Sequence, residues 1–407
     1  MSALSTPLRH GANRMEAAIN ARPLAWLIGD KTLAEPDEAQ WRRLGRTLLQ
    51  GDPLADGLVR WLHETGFSTG RHLFEQALNQ GIDTLDNPPP ALRALFAQVD
   101  ATPEWLDQKR LQRGLDASAR SGQTGMRILR DLGLMAGYQA SAINQTLVKT
   151  GALEKGASRR IAETTKWWMD CMTPGGLERS GEGFKTTLRV RVIHAQIRHQ
   201  LLNRHDWDCA RWGLPVNQLD MQATYLAFSV LFILGQRLMG TLVSSREAED
   251  IMHLWRYIGW LMGVDPNLLS TSLKDGYIAL YQNLLSQATA DETSQQLGRA
   301  LMDEPLGRHY PHFGWLLARW DKQVHLSIVR WFVGRRGMKA LGLPAWTPPW
   351  YPVIFAPANA LWCLLHRALP GGRQRLSRWG RRAQERQQDI LFGQEHRDIT
   401  PVASRQG

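Results

Sequence analysis

The chain has only three cysteines in 407 residues, Cys171, Cys209 and Cys363, and they lie far apart. That excludes a disulfide framework and a CysXxxXxxCysHis attachment of haem, and the usage suits a reducing cytoplasm, which is the expected location. Long hydrophobic runs are also missing. Tyr225 to Val243 comes nearest to a membrane span, but Gln236 and Arg237 interrupt it, and the shorter run near Val353 is broken by Pro352 and Pro357. A buried core helix is expected at the first, and no spanning segment at either. Residues 1–30 carry a few basic side chains without a sustained apolar core or twin arginines, so no export signal is expected. The glycines from Gly175 follow no strand and close on no Lys-Ser/Thr pair, which excludes a phosphate loop and leaves a flexible connection. His194 and His199 are five apart and point to different sides of a helix, unlike a zincin pair.

Two-residue alternation bounded by turns is scarce, whereas helix signals recur along the whole chain, so the fold class is all-α. A helix begins just after Pro36, places Trp41, Leu44 and Leu48 on one face and stops by Gly51. Thr102-Pro103-Glu104 has the composition of a helix start. Ser244 with Glu247 forms a capping box for a helix ending at Gly263, and Asn217 caps the apolar helix after it, with Asp220 in the first turn. No long low-complexity linker or solenoid-period repeat interrupts the chain. One multi-helix domain over residues 95–345 is expected, with a helical extension at 1–94 packed on it and an Arg-rich C-terminal extension at 346–407.

The segment TTLRVRVIHAQIRHQLLNRH, Thr186 to His205, lacks Gly and Pro and reads as a helix. Around His194, positions three, four and seven away hold Val190, Ile197 and Leu201, with Thr187, Arg191 and Arg198 alongside. The imidazole thus belongs to a partly apolar, inward face. A neutral imidazole facing a protected apolar space is a good axial donor to haem iron, and the flanking guanidinium groups of Arg191 and Arg198 suit carboxylates such as propionates. On spacing alone, a core histidine held by an ordinary hydrogen bond is the simpler explanation.

The order of motifs adds to this: Arg160 and Thr164 in RRIAET, the glycines at Gly175 and Gly176, His194, then GLPVNQLD from Gly213 to Asp220, Thr224, and Phe228-Ser229. This succession resembles the latex-clearing rubber oxygenase and MpaB oxygenase family over about residues 95–345. The resemblance implies an all-helical oxygenase holding a non-covalent haem b and using dioxygen, with His194 as the proximal ligand. Arg160 and Thr164 match the family's distal arginine and threonine, and Asn217 and Asp220 would support the wall around the cofactor. Four residues apart, Arg160 and Thr164 share one side of a helix with Trp167 close to the next turn. A surface Arg160 paired with Glu163, and a Thr164 bonded back to its own helix, are the plainer alternatives.

Two departures bear on the reaction. Glu163 stands where the rubber oxygenases carry a distal lysine, and the run from Gly137 to Gly151 offers Asn144 and Gln145 where they carry a glutamate base. An amide accepts no proton at neutral pH. The expected function is therefore a haem b-dependent oxygenase acting with dioxygen on a hydrophobic, unsaturated isoprenoid or lipid-like small molecule; a non-catalytic haem- or lipid-binding helical protein is the alternative. Cationic side chains exceed anionic ones by 11, and arginines crowd the tail from Arg367 to Arg386. Leu376 and Trp379 among them suit a peripheral contact with an anionic membrane surface, with a solvated helix face as the competing reading. No zinc-finger or RNA-binding motif points to nucleic acid.

Overall fold

The computed structural model describes residues 5–151 and 156–393, and every regular element among them is helical. Residues 394–407 of the expected C-terminal extension lie outside the described residues. After three short N-terminal helices come α1 (Glu38–Thr47) and α2 (Pro53–Thr65). Asp37 caps α1 in a capping box with Gln40, and Trp41, Leu44 and Leu48 pack together against Leu219. Asp52 caps α2, with Pro53 at its first position, where a missing N–H costs nothing.

The start expected at Thr102 is corrected. Residues 102–107 form a turn, and α3 (Gln108–Ala119) begins only after Asp107, whose carboxylate accepts from the Lys109 and Arg110 N–H groups. The Asp107 N–H is itself held by His253 Nε2 at 3.0 Å, a tertiary bond that local sequence does not reveal. Next come α4 (Gly122–Ile128), continuing through a π-helical turn at Leu129–Leu134, and α5 (Ser141–Lys149).

The middle of the chain supplies α6 (Ala157–Met172) and α7 (Glu182–Leu202). The glycine-rich connection between them is a compact turn rather than a loose one: Phe184 N–H donates to the Gly176 carbonyl, and a Cβ at Gly176 or Gly183 would collide with the Asp170 carbonyl. α7 is displaced by a turn toward the N-terminus relative to the expected Thr186–His205. After α8 (Gln218–Leu226), capped by Asn217, a second π-helical turn at Ala227–Leu231 leads into α9 (Phe232–Leu238). The two π turns pack on each other. α10 (Ser245–Leu261) opens with the expected Ser244–Glu247 capping box and packs along α3; α11 (Leu273–Leu285) and α12 (Glu292–Asp303) follow. The last helices among the described residues are α13 (Gly314–Ala340), α14 (Trp350–Ala368) and α15 (Gly372–Phe392).

One large apolar cluster runs from Ala21 to Ile328, so residues before position 95 share the core with the central helices. α15 also lies on the body: Leu376, Gly380 and Gln384 are buried, and Arg381 donates to the Met172 carbonyl at 2.7 Å. Leu376, read as part of an interfacial face, therefore points inward. No described helix is long and apolar enough to cross a membrane.

Candidate functional site

A cavity of about 1740 Å³ runs through the middle of the molecule, lined by α6, α7 and both π turns. Ordinary small-molecule pockets hold roughly 300–1,000 Å³, so this one has room for a large planar group and a second molecule. Most of its wall is apolar. Trp167, Trp255 and Phe228 form an aromatic side, with Phe228 stacked on Trp255 at 4.9 Å and Trp167 edge-on to both. The π turns contribute Leu129, Leu132, Leu134 and Leu231. A π turn widens the helix and re-aims its side chains, which is why such turns gather at functional sites. Apolar periodicity at 3.6 residues gives no sign of them.

His194 lies on this wall. It is enclosed by protein yet remains only half-buried, because its free surface faces the cavity. Its Nδ1 is buried without a hydrogen-bond partner. Burial, and then the Arg198 guanidinium, push the imidazole down to about 4, with Asp52 opposing. At neutral pH the ring is uncharged, with lone-pair donor capacity that no neighbouring donor consumes. The ordinary hydrogen bond of the simpler reading is absent among the described residues.

Arg160, Thr164 and Trp167 all line the same cavity from α6, as their spacing requires. Burial pushes the Tyr138 hydroxyl above its ordinary value, and the Arg160 guanidinium beside it offsets part of that push. Trp167 Nε1 donates to Thr187 Oγ1 at 2.9 Å, which ties α6 to α7. Glu163 also lines the cavity, paired with Arg159 at 3.1 Å. It is a half-buried ion-pair partner rather than a solvated carboxylate.

Arg191 and Arg198 require a correction: neither lines the cavity. Arg191 Nε and Nη2 donate to the Asp52 carboxylate at 2.6 and 3.0 Å, and Arg198 Nε to Asp56 at 2.9 Å, with Nη1 on the Val216 carbonyl. A planar guanidinium matches a carboxylate in two bonds, and α2 supplies one at its cap and one in its first turn. Gly263 makes the approach possible: a Cβ there would strike the Asp52 carboxylate, and its φ of +84° suits glycine. These arginines flank His194 at −3 and +4 and clamp its stretch of α7 onto α2, so they position the helix rather than meet a ligand. Sequence spacing identified the right neighbours but could not say which way they point.

Asn217 and Asp220 act as expected of a supporting junction. Asn217 caps α8 through the Asp220 N–H, and the Asp220 carboxylate, which reaches the cavity wall, is held by Arg9 at 2.5 Å and by Asn217 Nδ2. Asn144 is fully buried, and its Nδ2 donates to the Tyr138 carbonyl at 2.7 Å and to Ser294 Oγ at 3.2 Å. It joins α5 to the Tyr138 turn and α12. His199 stacks on His63 away from the cavity. A residue missed from sequence is Arg336, which reaches the cavity from α13 and has no carboxylate partner among the described residues.

The catalytic-domain model for the ER-bound oxygenase mpaB/B′ and rubber oxygenase matches residues 125–355, more than half of the chain. The chain belongs to this family. The match begins in α4 and ends in α14, so it contains both π turns, α6, α7 and most of the residues that line the cavity. The rubber oxygenase of Streptomyces sp. (strain K30) is 25% identical over 199 residues, covering 48% of this chain and 47% of that protein. The chain thus spans about half the length of the curated relative it matches. The solved structure of latex clearing protein LCP in the closed state superposes with a TM-score of 0.63 at 18% identity, over 88% of this chain and 95% of the other. At that identity the match speaks for a shared helical fold.

Proposed function

We propose that this chain is a haem b-dependent oxygenase that uses dioxygen on a hydrophobic, unsaturated isoprenoid or lipid-like small molecule. The observation that carries the reading is His194: an uncharged imidazole without a hydrogen bond, on the wall of an apolar cavity larger than a small substrate needs. A metal ligand must be deprotonated, and this ring is already so at neutral pH. Haem, when bound, supplies a redox-active iron for dioxygen chemistry. Its non-covalent attachment is consistent with Cys171, Cys209 and Cys363 all being free.

The chain's own residues have distinct tasks in this reading. His194 would hold the haem iron through its uncharged imidazole. Arg160 and Thr164 present a cation and a hydroxyl at the same cavity, suited to orienting a small polar molecule by hydrogen bonds. The Trp167–Phe228–Trp255 wall keeps water out and accepts an apolar substrate. Arg336, which lines the cavity and has no carboxylate partner among the described residues, takes over from Arg191 and Arg198 as the candidate for a cofactor carboxylate. The family membership of residues 125–355 supports oxygen chemistry as the class of reaction. We place the catalytic unit between the extensions at 1–94 and 346–407, and a cytoplasmic location remains our reading of the cysteine usage.

Asn144 favours a second reading, a haem- or lipid-binding member without cleavage chemistry. Its Nδ2 donates to the Tyr138 carbonyl and Ser294 Oγ, and an amide offers no base at neutral pH. Oxygen uptake by the haem-loaded protein with prenyl or unsaturated lipid candidates separates the two. The oxygenase reading expects substrate-dependent uptake that falls at least tenfold, roughly the contribution of one positioned polar group, in Arg160→Ala. Haem binding without uptake on any unsaturated substrate favours the second reading.

A further inference from the structure

α14 is an amphipathic helix turned inside out. On a helix covering a soluble protein, polar residues face water and apolar ones face the core. Here Val353, Ile354, Leu361, Trp362, Leu364 and Leu365 are each more than half exposed, and Pro352 alone is buried. The polar residues point the other way: Asn359 Nδ2 donates to the Met239 carbonyl at 3.0 Å, and Arg367 pairs with Glu247. The outward positions recur at helical period, so they form one continuous apolar stripe.

The stripe is extended at both ends by aromatic residues. Trp320 of α13, half exposed, meets Trp350 at 5.2 Å, and Trp362 stacks on the exposed Trp379 of α15 at 5.7 Å. Trp315 and Trp346 stand out further, 69% and 82% exposed. An exposed apolar surface on this scale marks a partner rather than ordinary surface composition.

Charge identifies the partner. The 63 residues from Lys322 to Gln384 contain no Asp or Glu and eleven Lys or Arg, as many as the net excess of the entire chain. Arg373, Arg378 and Arg382 are exposed on α15 beside Trp379 and have no carboxylate partner among the described residues. A second copy docked by the same face would bring this positive border against itself. An anionic lipid surface offers an apolar interior to the stripe and negative headgroups to its border. No described helix is apolar enough to cross, and α14 carries His366 and Arg367 near its end, so the fit is in the plane of the surface.

We propose that α14 is an in-plane membrane-docking helix, with its apolar stripe in the lipid and the arginines of α15 at anionic headgroups. This assigns the membrane contact to a different helix face from the one the arginine cluster suggests. The cavity wall comes close to the docked face: Leu238, half exposed, lines the cavity, and Asn359 of α14 bonds the carbonyl of the next residue. Docking rests on the surface alone and does not depend on the oxygenase reading.

The test is flotation of the purified full chain with vesicles of phosphatidylcholine alone or with about 30% phosphatidylglycerol, with size measured by light scattering. The expected result is salt-sensitive flotation with the anionic vesicles, reduced at least about tenfold in L361E/L365E. Both leucines are exposed, and helical circular dichroism checks the variant's fold. R373Q/R378Q/R382Q, which leaves the stripe intact, is expected to lose the preference for anionic vesicles. Wild-type protein that stays with neither vesicle overturns the proposal, as does flotation unchanged in both variants. A stable dimer that L361E/L365E splits, without flotation, overturns it in favour of self-association.

Discussion

Replacing Asp52 by asparagine tests whether the arginines beside His194 hold the helix or a ligand. Arg191 is 2% exposed, and its bonds go to the Asp52 carboxylate, the Leu261 carbonyl at 3.2 Å and Gln98 Oε1 at 2.9 Å. Asparagine keeps the shape and an oxygen that can still cap α2, so the cap's roughly 1 kcal/mol is largely preserved. What disappears is the charge. A buried guanidinium left without its carboxylate costs about 3–5 kcal/mol, a large part of a typical total of about 5–15 kcal/mol. Urea unfolding followed by helical circular dichroism should show that loss for Asp52→Asn and a similar one for Arg191→Met. The double variant should be less destabilised than the two losses added, because it strands no charge. Haem binding by the folded fraction should be unchanged in all three. A stability loss under about 1 kcal/mol, or an Arg191→Met that folds normally but loses haem, would refute the clamp and restore Arg191 as a cofactor contact.

Acid should weaken the cofactor-free protein through His194. Its folded value of about 4 lies below the ordinary 6.5, so the unfolded chain binds the proton first. The stabilising contribution is fully present above pH 6.5 and is lost as pH falls through about 4, and His194→Ala should flatten the stability profile in that window. The buried Asp131, lowered to about 2 with Arg130 and His325 beside it, adds a second loss that begins only below its ordinary 3.8. Asn144→Glu should not confer cleavage: a fully buried carboxylate would replace a donor to the Tyr138 carbonyl, at about 3 kcal/mol or more by urea unfolding. Asn144 lines the cavity, so a stable Asn144→Glu protein that gains double-bond cleavage would show that a carboxylate at this position is enough to supply the base.

Much of the fold is legible in the sequence because the signals are local. The Ser244–Glu247 box, the Asn217 cap and the Pro36 start all satisfy backbone groups within a few residues, so reading them needs no tertiary information. Thr102-Pro103-Glu104 has the same local form, but a tertiary bond from Asp107 N–H to His253 fixes the true start further on. The site divides along the same line. The four-residue spacing of Arg160 and Thr164 determines a shared face, and the structure puts both on the cavity. The direction of Arg191 and Arg198 depends on Asp52 and Asp56, more than a hundred residues earlier, and no pattern in α7 announces it. The π turns are hidden for another reason: one extra residue per turn leaves composition and apolar spacing almost unchanged. The exposed stripe of α14 escapes notice because a sequence shows an amphipathic helix without showing which face is turned inward.

The most direct measurement is the visible absorption spectrum of the purified chain reconstituted with haem, beside that of His194→Ala. An axial imidazole predicts a Soret band in the wild type that shifts or vanishes in the variant, while helical circular dichroism stays the same. A wild type that takes up no haem, or a Soret band untouched by loss of His194, would contradict the account at its centre.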